Sequence, residues 1–126
     1  MITIIFIALG GACGAIARYG INSLISEHIS HAMPWGTLCV NVVGATMMGA
    51  MVAICDHFTQ LPMGVKPLII TGFLGAFTTF SAFSADVIML WERETSLYSM
   101  IYIAASVTLS IIGLYAALQV TRTILS

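Results

Sequence analysis

Charged residues are scarce in this sequence: Asp, Glu, Lys and Arg together make up 7% of its 126 residues. Soluble domains usually carry about 25% charged residues, so the composition argues against a water-soluble fold. A basic excess is also lacking, since the formal net charge is −1, and a nucleic-acid partner is therefore not expected. Apolar residues make up 60% of the chain and its mean hydropathy is +1.05. These values indicate a membrane protein.

The few charges are spaced so that four long apolar runs remain between them. A helix needs roughly 20 apolar residues to cross a bilayer core of about 30 Å. We therefore expect a single all-α domain over residues 1–126, with four transmembrane helices at about residues 2–25, 35–54, 67–90 and 97–121. Outer-membrane strands are short and alternate in polarity, whereas these runs are long and continuously apolar.

Cysteine and histidine are also few, and their positions do not predict chemistry. The cysteines match no zinc or haem spacing, and two of them fall inside apolar runs, where small packing residues are expected; the three are Cys13, Cys39 and Cys55. The histidines lie near the ends of spans, where interfacial positions are more natural than metal ligation: His28, His31 and His57. No nucleophile–base pair is apparent, so we expect no enzyme.

The basic residues are balanced between the two sides of the predicted bundle. Lys66 and Arg122 fall on the side of the termini, and Arg18 and Arg93 fall on the other. Because the Lys/Arg difference orients a membrane protein, this balance predicts insertion in both directions and an antiparallel two-fold homodimer. The alternative is that Arg18 lies too deep to count, which leaves a weak fixed bias.

Glycine pairs predict close approach of helix backbones. Gly10 and Gly14 form a G-x-x-x-G pair in the first span, and Gly44 and Gly49 add small surface to the second. In lipid, small residues of this kind let helices pack closely.

Asn41 is a polar residue inside the second span, four residues after Thr37. Polar groups in a membrane are costly and tend to mark functional positions. Gly44 and Ala45 continue the same face and leave room beside the amide. The alternative is that Asn41 only forms a hydrogen bond to a neighbouring helix.

The third span predicts a break at the membrane centre. Gly72 and Gly75 weaken a helix, and the pair Thr78 and Thr79 can bond backbone carbonyls. Broken membrane helices expose carbonyls and amides that bind ions, and carbonyls of Gly75 and Thr78 could hold a cation. The alternative is a continuous helix to which the threonines bond back.

Aromatic and hydroxyl side chains follow the predicted break. Phe80 and Phe83 share a helix face, which Phe77 is expected to extend. The positive edges of such rings could contact a small dehydrated anion, although lipid contact or packing is the more common role. Ser81 and Ser84 add hydroxyl donors on a neighbouring face.

The fourth span carries three hydroxyls in a row, at intervals of four residues: Tyr102, Ser106 and Ser110. This spacing places them on one helix face. Hydrogen bonds between helices are the alternative role, at only about 0.6 kcal/mol each. A row facing phenylalanines and an asparagine favours a polar path.

Three blocks of the sequence resemble the Fluc-type fluoride channels, also called the CrcB family. They are Gly10–Tyr19 (GGACGAIARY), Gly36–Gly44 (GTLCVNVVG) and Gly72–Phe83 (GFLGAFTTFSAF), and the third is the most specific. The resemblance follows all four spans in order. It implies an antiparallel homodimer of dual topology, multi-pass in the bacterial inner membrane, that exports toxic fluoride passively through two pores.

The resemblance also implies roles for individual residues. Phe80 and Phe83 match the phenylalanines that contact fluoride, Asn41 matches the pore asparagine, and Arg18 matches the basic residue of the vestibule. The remaining matches are Gly75 and Thr78, whose carbonyls would hold a structural central Na⁺, Thr79, the hydroxyl beside the break, and the polar track of Ser106 and Ser110. Ala82 departs from the family, which commonly has Thr there.

Two other functions compete with a fluoride channel. A small proton-coupled multidrug exporter is also a four-helix dimer of dual topology, but it needs a carboxylate within the membrane. The first span has none, and Asp86 and Asp56 lie near span ends. A structural subunit without transport activity would leave the broken helix and the hydroxyl row unexplained.

Overall fold

The computed structural model describes residues 1–29, 33–93 and 95–126, and these residues form helices without any strand. The helices are α1 (Ile2–His28), α2 (Trp35–His57), α3 (Pro67–Leu74, continuing as Gly75–Phe77), α4 (Phe80–Arg93) and α5 (Ser96–Leu125). Four helical segments, with α3 and α4 counted together, are long and apolar enough to cross a membrane. The expected multi-span helical architecture is therefore present.

The spans begin within one residue of the expected positions and end three or four residues later than expected. Most of the additional residues are polar or charged, and they include His28, His57, Arg93 and Arg122. Such residues suit the interface, where a helix can continue because its backbone bonds internally. His28 and His57 lie at helix ends as expected, whereas His31 lies outside the described residues.

Glycines set how closely the helices pack within the chain. A Cβ at Gly10 would overlap the backbone carbonyl of Leu68, and a Cβ at Gly14 would overlap that of Phe73. The G-x-x-x-G pair therefore joins α1 to α3 within the chain. Gly49 meets the backbone of Leu114 in the same way, which lets α2 and α5 form the most extensive helix pair of the molecule.

The third span is interrupted, as its glycines and threonines predict. Its first part is wound as a π-helix, and the N–H of Gly75 bonds to the carbonyls of Gly72 and Ile70. The α-helical turn that follows ends at Phe77, because Thr78 is extended, with φ −75° and ψ 156°. A new helix, α4, starts at Phe80.

Candidate functional site

Both threonines stabilise the ends of the broken helix. Thr78 donates its N–H and its hydroxyl to the carbonyl of Leu74, at 3.1 and 3.0 Å. The hydroxyl of Thr79 accepts the N–H of Ala82 at 3.1 Å, which is the usual N-cap bond of a helix. Thr78 thus bonds back to the helix before it, as the alternative of a continuous third helix predicts. The backbone nevertheless leaves the helix at Thr78.

Asn41 holds the break from the neighbouring helix α2. Its Oδ1 accepts the N–H of Thr79 at 2.8 Å, and its Nδ2 donates to the carbonyl of Thr79 at 3.0 Å. One amide therefore satisfies both polar groups of a buried residue that no longer belongs to a regular helix. Asn41 therefore forms the hydrogen bonds to a neighbouring segment that its alternative role requires, and it also lines the cavity described next. An amide nitrogen carries two hydrogens, so Asn41 keeps one N–H for another partner.

A cavity of about 360 Å³ opens beside the break and collects most of the predicted polar path. None of its described lining residues carries a formal charge. The predicted residues that line it are Asn41, Thr78, Thr79, Phe80, Phe83, Ser106 and Ser110. Gly44 and Ala45 also line it, which agrees with the room expected beside the amide.

Ser106 is the one side chain in the described part of the chain whose buried polar atom lacks a hydrogen-bond partner. The residue is only 5% exposed and lies on the cavity wall. A buried hydroxyl without a partner costs free energy, so Ser106 Oγ, which is closed to solvent next to the cavity, is a candidate donor there.

The phenylalanines of the third span separate into two groups. Phe80 and Phe83 lie side by side, with ring centroids 5.5 Å apart, and Phe80 is 79% exposed on the surface of the chain. Phe77 instead stacks on Phe73, with centroids 5.7 Å apart, and is buried away from the cavity. The expectation that Phe77 extends the stripe is wrong, because the break lies between Phe77 and Phe80 and redirects the chain.

Five predicted site residues do not line this cavity: Arg18, Gly75, Ser81, Ser84 and Tyr102. Ser84 donates its hydroxyl back to the carbonyl of Phe80 at 2.9 Å, and the hydroxyl of Ser81 lies 3.3 Å from that of Thr79. Arg18 is half-buried on α1 and lines neither this cavity nor the smaller ones.

Tyr102 is completely buried beyond one end of the cavity. Its hydrogen bond draws attention to Asp86, to which the sequence alone assigns no role in the anion path. Its ring lies 5.5 Å from that of Phe83, and its hydroxyl donates to Oδ2 of Asp86 at 3.2 Å. In the sequence, Asp86 lies near the end of the third span. An ionisable residue within a span is nevertheless a functional signal in itself.

The carbonyls of Gly75 and Thr78 are left without their usual helical donors. In a continuous α-helix they would accept the N–H groups of Thr79 and Ala82. Those two groups instead donate to Asn41 and to the hydroxyl of Thr79. Gly75 is also exposed on the surface of the chain. No cluster of three or more His, Cys, Asp or Glu that could hold a metal occurs among the described residues.

Comparison with known proteins identifies the family of this chain. Residues 5–118 match the family model described as CrcB-like protein, Camphor Resistance (CrcB). A protein of Rhizobium etli named fluoride-specific ion channel FluC is 43% identical, over 97% of this chain and 98% of its own length. Proteins of the same name from Paracoccus denitrificans and Magnetococcus marinus are 41% and 38% identical, over 95% and 96% of this chain and 94% and 98% of their own lengths. Matches of this extent place the chain in the CrcB family of membrane proteins.

Proposed function

We propose that this chain is a fluoride channel that exports the ion passively across the membrane and so gives resistance to fluoride toxicity. The observation that carries the proposal is the uncharged cavity beside the broken helix, lined by Asn41, Phe80, Phe83, Ser106 and Ser110. The family assignment supports it, and it does not support the alternative of a proton-coupled multidrug exporter.

The cavity can replace the hydration of a small anion without trapping it. The free N–H of Asn41 and the hydroxyls of Ser106 and Ser110 are donors along its wall, and the edges of Phe80 and Phe83 supply positive ring hydrogens. Conduction needs sites that favour the ion but still release it. A wall without fixed charge meets both conditions.

Reconstituted liposomes test the channel. Purified protein should release trapped fluoride rapidly and chloride negligibly, as read by ion-selective electrodes. Phe83→Ile should lower fluoride flux about tenfold, the effect of about 1.4 kcal/mol at the barrier. Phe58→Ile is the matched control, because Phe58 lies at the end of α2 and outside the cavity. Vesicles that hold fluoride, or that release chloride equally fast, would refute the proposal.

The functional unit in this proposal is an antiparallel homodimer. Phe80 and Gly75 are exposed on the protomer surface beside the broken backbone. Irregular backbone at membrane depth is tolerated where protein covers it or water lines it, and a second copy would provide that cover. The balance of Lys and Arg supports insertion in both directions. Terminal tags should be accessible from both sides of the membrane, and access from one side alone would contradict this arrangement.

A structural Na⁺ fits the carbonyls of Gly75 and Thr78. Unwound backbone carbonyls coordinate Na⁺ in other membrane proteins, and both of these oxygens have lost their helical donors. The ion would offset their partial charges at the interface of the two copies. Replacement of Na⁺ by N-methylglucamine should shift the purified dimer toward monomer in cross-linking and should lower its melting temperature. An unchanged dimer would remove the cation from the proposal.

The bacterial inner membrane is the location that this function implies. Helical spans support it, since outer-membrane proteins of bacteria are β-barrels. Export of fluoride across that membrane is the step that lowers its concentration inside the cell.

A further inference from the structure

A second cavity, of about 290 Å³, lies between the carboxyl end of α1, the amino end of α2 and α4. Its polar and charged lining residues are Asn22, Ser26, Thr37, Asp86 and Arg93. Met33, Pro34 and Trp35 complete the wall near the α1–α2 connection, so the cavity is at the side of the membrane that carries the α1–α2 and α4–α5 connections.

This second cavity is in line with the cavity beside the break. On α2, Thr37 lines the second cavity, and Asn41, one turn later, lines the cavity beside the break. On α4, Asp86 lines the second cavity, and Phe83, about one turn earlier, lines the cavity beside the break. Tyr102 lies between them, since its hydroxyl bonds Asp86 and its ring packs on Phe83. The helices α2, α4 and α5 thus run from one cavity to the other and carry polar side chains along the way.

Arg93 is the only cation that lines either cavity in the described part of the chain. It lies in the last turn of α4 and is exposed. Arg18, the basic residue expected at the vestibule, lines neither cavity. The one close ion pair among the described residues joins Arg122 to Asp56 at 3.1 Å, at the other end of the bundle.

We propose that Arg93, at the outer end of this second cavity, concentrates small hydrated anions before they enter the anion path. The inference rests on the proposed function. Asp86 at the inner end repels anions, so a cation at the outer end offsets that repulsion where the ion still has its water. Attraction in this position raises the rate of arrival without forming a tight site.

The expected effect is small and depends on salt. A unit charge about 10 Å from a passing anion, in bulk water, changes the local anion concentration about twofold at low ionic strength. The Debye length falls from about 30 Å at 0.01 M to about 10 Å at 0.1 M. The contribution of Arg93 should therefore fade as salt is added.

Fluoride efflux from neutral phosphatidylcholine vesicles at low fluoride concentration tests this role. We expect Arg93→Gln to lower the flux about twofold in about 0.01 M potassium gluconate, Arg93→Glu to lower it about fourfold, and Arg93→Lys to retain it. Each difference should shrink in about 0.3 M gluconate. Arg122→Gln is the matched control, because Arg122 lies at the other end and lines neither of these two cavities.

Two results would overturn the assignment while the wild-type protein conducts. One is an Arg93→Gln flux equal to wild type in low salt. The other is a loss that salt does not change and that Arg93→Lys does not repair, since that pattern belongs to a structural role. A wild-type protein that conducts no fluoride would instead refute the proposed function itself.

Discussion

Replacement of Asn41 by Leu should destabilise the protein through the broken helix. The substitution keeps the approximate size of the side chain and removes both hydrogen bonds to Thr79, of 2.8 and 3.0 Å. Thr79 is only 6% exposed, so water does not readily replace the amide. Its N–H and carbonyl would both be left without a partner.

The size of the loss can be bounded from these two bonds. Side-chain hydrogen bonds within membrane proteins average about 0.6 kcal/mol each, which gives a lower value of about 1.2 kcal/mol. An unsatisfied buried polar group costs about 1–3 kcal/mol, which gives about 2–6 kcal/mol for the pair. We expect a value in the upper range, because the break leaves Thr79 no helical partner with which to re-form these bonds.

Reversible unfolding of the purified protein in mixed micelles measures this difference. Thr46→Val is the matched control on the same helix, because the Thr46 hydroxyl donates only to the carbonyl of Val42, at 2.8 Å, one turn earlier. The control should change the free energy of unfolding by less than about 0.5 kcal/mol. If Asn41→Leu also falls within that range, the amide does not hold the break.

Asn41→Asp separates the two bonds. The carboxylate can still accept the N–H of Thr79, but it places an oxygen where Nδ2 now donates to the Thr79 carbonyl. Repulsion there, together with a buried charge, should make Asp at least as destabilising as Leu. A stable Asp variant would contradict the assigned orientation of the amide.

Two further substitutions test packing and the cavity donor separately. Gly14→Ala should impair folding, because its Cβ would overlap the carbonyl of Phe73, whereas Gly11→Ala should be tolerated because a Cβ there meets no atom within 4 Å; equal yields of folded protein from both would refute the α1–α3 contact. Ser106→Ala should lower fluoride flux severalfold without lowering the melting temperature, since its buried hydroxyl lacks a hydrogen-bond partner among the described residues and its removal leaves no other polar group unpaired. A lower melting temperature with normal flux would contradict its role as a free donor.

Sequence reasoning located the helices and the break because both follow from local physics. Apolar runs of sufficient length have few alternatives to a transmembrane helix, and Gly75, Thr78 and Thr79 weaken the third span where it is interrupted. The length of the apolar runs predicts span ends that are too early, because an apolar run stops at the first polar residues. The helices continue through His28 and Arg93.

The hydrogen bonds of the site could not be predicted in the same way. Asn41 and Thr79 are 38 residues apart, and no local pattern specifies which helix the amide faces. Phe77 was grouped with Phe80 on helical spacing, which holds only while the helix is continuous. The bond between Tyr102 and Asp86 likewise depends on how α4 packs on α5, although the position of an acid near a hydroxyl row was an available signal.

The complete burial of Tyr102 has a consequence for cellular energetics. Protons cross membranes rapidly along unbroken files of water, and a buried aromatic ring between two polar spaces interrupts such a file. In the proposed channel, the path past this side chain would therefore carry fluoride without an accompanying file of water, and fluoride export would leave the proton-motive force in place.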